Sequence, residues 1–175
     1  MTNPEPELFE MVANPDLESP VLVLALEGWV EAAGATRAAY QQIKRSSEMK
    51  LITRFNTDRL LDHRARRPTM KLVDGVIQRL DWPSIEINLL EQEAQRPLLI
   101  LHGPEPDHEW KSFAHSVVKV ATELNVGLVV GLGSYPAAVP HTRPTRIACT
   151  ASTPELVAKL EFVTATLEIP AGIQA

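Results

Sequence analysis

The chain has 175 residues, 45% apolar and 22% charged, with 17 Lys and Arg against 22 Asp and Glu and a formal charge of −5. That balance belongs to a folded globular chain of about one domain, excludes an intrinsically disordered one, and speaks against nucleic acid as a partner. The longest aliphatic run, residues 21–26, is far below the roughly 20 residues that cross a bilayer, and Cys149 stands alone, so no membrane partner, no disulfide framework and a cytoplasmic, reducing location are expected.

Residues 1–20 hold Pro4, Pro6, Pro15 and Pro20 with acids between them, which predicts an acidic, proline-rich arm that orders on contact, with a helical turn over 8–12. Residues 21–175 are expected to form a single α/β domain. Within it, Val21-Leu-Val-Leu-Ala-Leu26 reads as a strand buried on both faces. An alanine-rich stretch over 31–44 predicts a helix that packs closely on a sheet, and 51–55 a second strand. Asp74-Gly75 between two apolar-rich runs predicts a β-hairpin over 70–80, because both turn positions need positive φ. Residues 85–90 and 98–101 read as strands. Trp110, Phe113, Val117, Val120, Ala121 and Leu124 share one helical face, with Asp107 as the candidate N-cap. Strands at 126–130 and 147–150 and a short helix over 154–160 complete the set. The fold class predicted is α/β in three layers, with a mixed, mainly parallel sheet and a hairpin.

Ligands of open α/β sheets collect beyond the C-terminal strand ends. Three buried strands run there into polar loops: Glu27-Gly28-Trp29, His102-Gly-Pro-Glu105-Pro106, and Gly131-Leu-Gly-Ser134 followed by Pro140-His-Thr-Arg-Pro144. The ligand-binding candidates are therefore Glu27, Trp29, His102, Glu105, His141 and Arg143, with Arg143 the anion-recognition residue because its planar fork binds carboxylate or phosphate bidentately. Glu27 and Glu105 have structural alternatives, as partners of loop amides and of the following helix start. Anion binding at the helix after Trp29 is disfavoured, since Glu31 already occupies its positive end.

Neither a P-loop nor a dinucleotide fingerprint follows Gly131, and His108-Glu109 lacks the second histidine of a zinc helix, so no metal and no cofactor is expected. No Gly-x-Ser-x-Gly elbow is present and Cys149 sits in an apolar run, so no catalytic residue is assigned. Arg59, Arg64, Arg66 and Arg67 concentrate positive charge before Pro68 and the hairpin, and are the partner-contact candidates.

Glu27-Gly-Trp29, Asp62-His-Arg-Ala-Arg-Arg-Pro-Thr69, Leu72-Val-Asp-Gly75, Trp82-Pro-Ser84, Gly103-Pro-Glu-Pro106 through Trp110, and Val139-Pro-His-Thr-Arg-Pro144 occur in this order. The series resembles the bacterial branch of the proteasome-assembly-chaperone family over residues 21–173. The resemblance implies a core similar to nucleoside phosphorylases and a homo-oligomer, with a proteasome-related protein partner by likeness to the eukaryotic members. It implies no established reaction. Leu167-Glu-Ile-Pro-Ala-Gly172 keeps the Pro and second Gly of the family's Tyr-x-Gly-Pro-x-Gly pattern and lacks its Tyr and first Gly. Family members continue further, so the chain is expected to correspond to the N-terminal part of a longer architecture.

Two functions follow as expectations. The first is a non-enzymatic, oligomeric, chaperone-like interaction protein. The alternative is a phosphate- or nucleoside-type ligand site, or a hydrolase- or phosphorylase-like enzyme, in the strand-end crevice.

Overall fold

A six-stranded sheet with a helix on each face organises the computed structural model, which describes residues 7–29, 31–91, 96–136, 138–158, 166 and 168–174. In chain order the elements are β1 (Phe9–Met11), β2 (Val21–Glu27), α1 (Ala35–Ser46), β3 (Glu48–Phe55), α2 (Thr57–Leu60), β4 (Thr69–Val73), β5 (Val76–Asp81), β6 (Glu86–Glu91), β7 (Leu98–Pro104), α3 (Trp110–Glu123), β8 (Leu128–Gly131) and α4 (Pro154–Val157). The sheet order is β1-β3-β6-β7-β2-β8. β2 pairs in parallel with β7 and β8, while β6–β7, β3–β6 and β1–β3 are antiparallel. Among the described residues no helix is long and apolar enough to cross a membrane.

The unbroken apolar run of β2 follows from burial on both faces. Side chains alternate across a strand, and Leu22, Leu26, Leu99 and Leu101 join one cluster with Phe113, Val120 and Leu124 of α3. Ala25 and Ile100, one residue out of phase, join Tyr40 of α1 on the opposite face. This gives the three layers that the sequence predicts. The hairpin β4–β5 also forms as expected, with Asp74 at φ 50° and Gly75 at φ 79°.

Several elements differ from their sequence reading. Residues 8–12 are not a helical turn: β1 adds to the edge of the sheet, and Phe9 packs on its opposite number Phe55 with ring centroids 6.1 Å apart. Burial of Leu8 and Phe9 in the main core outweighs the local preference, and residues 1–6 of the arm lie outside the described ones. Asp107 does not cap α3. Its carboxylate accepts the Asp62 N–H at 2.8 Å and pairs with Arg66, and Glu109 takes the N-cap position with φ 52°. The segment 147–150 adds no strand to the sheet, and its Ile147 is exposed rather than buried as a core strand would require. The last helix is described only over Pro154–Val157, with Thr153 capping it through Leu156 N–H.

The chain forms two compact units. Met1–Tyr135 with Ala171–Ala175 holds the sheet, and Pro136–Pro170 is the second unit.

One glycine in the sheet is required by close approach. Gly103 has φ 131°, and a Cβ there would overlap the Ser84 carbonyl oxygen and lie 2.9 Å from Ile85 Cα. Gly103→Ala is expected to destabilise the fold by about 2–4 kcal/mol, because the new methyl meets backbone that cannot yield. Urea unfolding of the two proteins measures the difference.

Candidate functional site

β2 and β7 run side by side with Glu27 opposite Pro104, so their following loops leave the sheet together. Glu105 ties those loops to one another. Its N–H donates to the Glu27 carbonyl at 2.8 Å, and its Oε2 accepts the Trp29 N–H at 3.0 Å. Its Oε1 accepts the Ile173 N–H at 2.7 Å, and its carbonyl accepts Arg66 Nη2 at 3.3 Å. The residue is 9% exposed. Gly28 has no side chain for a visible reason, since a Cβ there would overlap the Glu105 carboxylate. Both carboxylate oxygens of Glu105 thus serve backbone amides of other segments, a structural role different from the expected one at the start of the following helix.

Beside this brace lies a cavity of about 450 Å³. Its polar walls are Glu27, Glu31, Arg37 and Arg66, and Gly28, Pro83 and Pro104 complete the lining. The Arg37 guanidinium bonds the Glu27 carboxylate through Nη2 and Oε2. Glu31 Oε1 accepts the Arg37 N–H at 2.9 Å, which places a carboxylate on the first turn of α1, where the aligned peptide dipoles favour negative charge. Glu31 Oε2 is shielded from solvent and has no hydrogen-bond partner among the described residues. Arg66 Nη1 pairs with Asp107 Oδ1 at 2.9 Å.

The other sequence candidates are distributed differently. Trp29 follows Gly28 and is 68% exposed. His102 sits on β7 opposite Ala25, on the α1 face of the sheet, and is not a cavity wall. Its ring stacks on Tyr40 at 4.3 Å and 21°, with Asn88 Nδ2 2.9 Å from its Nε2 and Glu86 3.9 Å away. Burial lowers its pKa from 6.5 to about 4, against the opposing pull of Glu86, and so keeps the ring neutral near neutral pH. His141 and Arg143 belong to the second unit, where both are exposed and the Arg143 N–H closes a turn onto the Pro140 carbonyl at 3.0 Å. The structure therefore brings together Glu27, Glu105 and Trp29. It adds Arg37, Glu31 and Arg66, which sequence reasoning did not assign to a ligand site. Ten residues and a turn separate Glu27 from Arg37, and no helical or strand spacing links them.

The arginine segment is partly self-neutralised. Arg59 forms a two-pronged pair with Glu109, at 2.8 Å through Nε and 2.6 Å through Nη2. Arg64 and Arg67 are exposed. The hairpin that follows is exposed along both strands. Its register pairs Lys71 with Arg79 but Leu72 with Ile77, leaving Gln78 as an extra residue. That bulge keeps Met70, Leu72, Ile77 and Leu80 on one face and Lys71, Val73, Val76 and Arg79 on the other.

The family profile described as PAC2 family matches residues 25–175. No curated protein matches the chain. Among solved structures, a Mycobacterium tuberculosis protein of unknown function is 34% identical, with a TM-score of 0.84 over 98% of this chain and 62% of its own length. A proteasome-assembly chaperone homologue from the same organism is 30% identical, with a TM-score of 0.79 over 88% of this chain and 66% of its own. A PAC2 family protein from Streptomyces avermitilis is 30% identical, with a TM-score of 0.77 over 89% and 66%. The chain thus spans just under two thirds of the length of these relatives.

Two outcomes follow from the buried polar groups. An unfolded histidine takes up a proton below about pH 6.5, and His102 in the fold only near pH 4. Between those values the unfolded state binds more protons. Stability is accordingly full above pH 6.5 and falls as the pH drops towards 4, by on the order of 3 kcal/mol. Urea unfolding at pH 7 and pH 4.5 should show this fall, reduced in His102→Gln. Glu105→Gln turns one amide-accepting oxygen into a donor facing a donor and should cost about 1–3 kcal/mol in the same measurement at pH 7.

Proposed function

The chain belongs to the PAC2 family, and from that premise we propose that it is a non-enzymatic, cytoplasmic, oligomeric interaction protein of the proteasome-assembly-chaperone kind. The observation that carries this reading is the apolar face of the hairpin. Met70, Leu72, Ile77 and Leu80 stand together on it, with Leu72 54% and Ile77 63% exposed. A two-stranded hairpin is marginal in water without something packed against it, and a contiguous exposed apolar face marks an interaction surface. Charge supports association between copies. Residues 57–81 hold six basic and four acidic side chains in a chain whose net charge is −5, so this positive segment complements the acidic remainder of a second copy. Arg64 and Arg67 are exposed and form no ion pair among the described residues, whereas Arg59 and Arg66 are held by Glu109 and Asp107. The proteasome-related partner is taken from the chaperone homologue that the chain resembles.

A second reading rests on the cavity beyond the ends of β2 and β7, a small-molecule site with Glu27 as its central acceptor. Exposed His141 and Arg143 remain contacts on the second unit available to a partner or ligand.

Analytical ultracentrifugation tests the first reading. The wild-type chain at tens of micromolar is expected to sediment as an oligomer. Leu72→Glu with Ile77→Glu should shift it to a smaller species with unchanged far-UV circular dichroism, and Arg64→Glu with Arg67→Glu should raise the dissociation constant. A wild-type monomer, or an oligomer indifferent to the hairpin changes, overturns it.

A further inference from the structure

We propose that the cavity beside Glu105 binds a ring carrying neighbouring hydroxyl groups, as a free sugar or the ribose of a nucleoside does, with Glu27, Arg37 and Arg66 as its hydrogen-bonding wall. This inference deepens the second reading of function and rests on it.

The argument begins with charge. Arg37 is tied to Glu27, Arg66 to Asp107, and Glu31 to the N-terminal turn of α1 through the Arg37 N–H. Arg37 and Arg66 are each paired with a carboxylate, while Glu31 meets only a backbone amide and its Oε2 has no partner among the described residues. The wall sets two carboxylates against two guanidiniums, with no net charge to favour a bare ion. What remains unused is hydrogen-bonding capacity of both kinds. Only Oε2 of Glu27 is engaged among the described residues, which leaves Oε1 as an acceptor. A guanidinium has five N–H donors in a plane. Arg37 uses Nη2 for Glu27, and Arg66 uses Nη1 and Nη2 for Asp107 and the Glu105 carbonyl, so among the described residues Arg37 Nε and Nη1 and Arg66 Nε are unused.

Phosphate offers mainly acceptors and would face Glu27 and Glu31. An ammonium offers only donors and would face Arg37 and Arg66. A hydroxyl does both at once, donating to a carboxylate while accepting from a guanidinium. Two hydroxyls on adjacent ring carbons suit planar groups that present two sites side by side.

Aromatic exposure points the same way. Trp29, 68% exposed, directly follows lining residue Gly28 at the cavity's edge, while Trp82 before lining residue Pro83 packs edge-on with His63 at 5.0 Å. An exposed indole offers its face to the C–H side of a sugar or to a base. The wall is also fixed before any ligand arrives, since the prolines Pro83 and Pro104 and the Glu105 brace on the Trp29 amide leave little backbone freedom to lose. About 450 Å³ lies within the roughly 300–1,000 Å³ usual for small-molecule sites.

The test is a thermal-shift and calorimetric titration of the whole chain with D-ribose, D-glucose, adenosine, 2′,3′-dideoxyadenosine and inorganic phosphate. Saturable stabilisation by a hydroxylated compound is expected, with phosphate inert and dideoxyadenosine at least tenfold weaker than adenosine whenever adenosine binds. Adenosine binding at least tenfold more tightly than either sugar identifies the nucleoside source; the reverse identifies the free sugar. Glu27→Gln should weaken binding about tenfold. Because that change also loosens Arg37, Trp29→Ala serves as a second variant, expected to weaken binding several-fold with the melting temperature of the free protein unchanged. Stabilisation by phosphate alone overturns the inference and leaves the cavity standing as an anion site. No shift with any compound, or binding indifferent to both variants, overturns the inference and the second reading together.

Discussion

The carboxylate of Glu105 is the constraint on which the strand-end region depends. A buried carboxylate is costly unless its oxygens are satisfied, and here two backbone amides from segments far apart in sequence, Trp29 and Ile173, satisfy them. The same residue's amide and carbonyl reach Glu27 and Arg66. Three other stretches of chain, at 27–29, 66 and 173, thus meet at one residue, and Gly28 has to be a glycine to admit its side chain. The stiffness of Gly103-Pro-Glu-Pro106 then makes sense: the prolines on either side hold Glu105 in the orientation that lets it make all four contacts.

The cavity and the hairpin are built on opposite physical logic. The cavity wall carries two carboxylates and two guanidiniums, Arg37 tied to Glu27 and Arg66 to Asp107 outside the wall, and so has no net charge of its own. On the hairpin, positive charge and apolar surface remain unmet inside one chain, with Lys71 directly across from Arg79 despite their repulsion. Arg79 finds partial relief in Asp81 at 2.8 Å. One feature suits a small polar molecule, the other a protein surface.

Much of the fold is legible from local pattern. The continuous apolar run of β2 announces burial on both faces, Asp74-Gly75 announces the hairpin, and the apolar spacing from Trp110 to Leu124 announces α3. In each, the deciding interactions lie within a few residues of sequence or repeat with a fixed period. The ordered motifs from Glu27 to Pro144 also carry the family resemblance, which the PAC2 match over residues 25–175 bears out. What escapes is set by distant partners. β1 exists because Phe9 finds Phe55, and Asp107 leaves the cap position because Asp62 and Arg66 claim it. Of the strand-end candidates, Glu27, Trp29 and Glu105 share one neighbourhood. His102 points to the other face because alternation along β7 sends it there, a turn of phase that strand identity alone does not fix without knowing which helix covers which side.

Arg66 and Pro83 line the cavity, and β4–β5 is the chain that connects them. The projecting hairpin is thus a lever whose two roots are set in the wall of the chamber. Were the proposed partner and the proposed guest to act on one another through these roots, the coupling free energy would be equal in both directions.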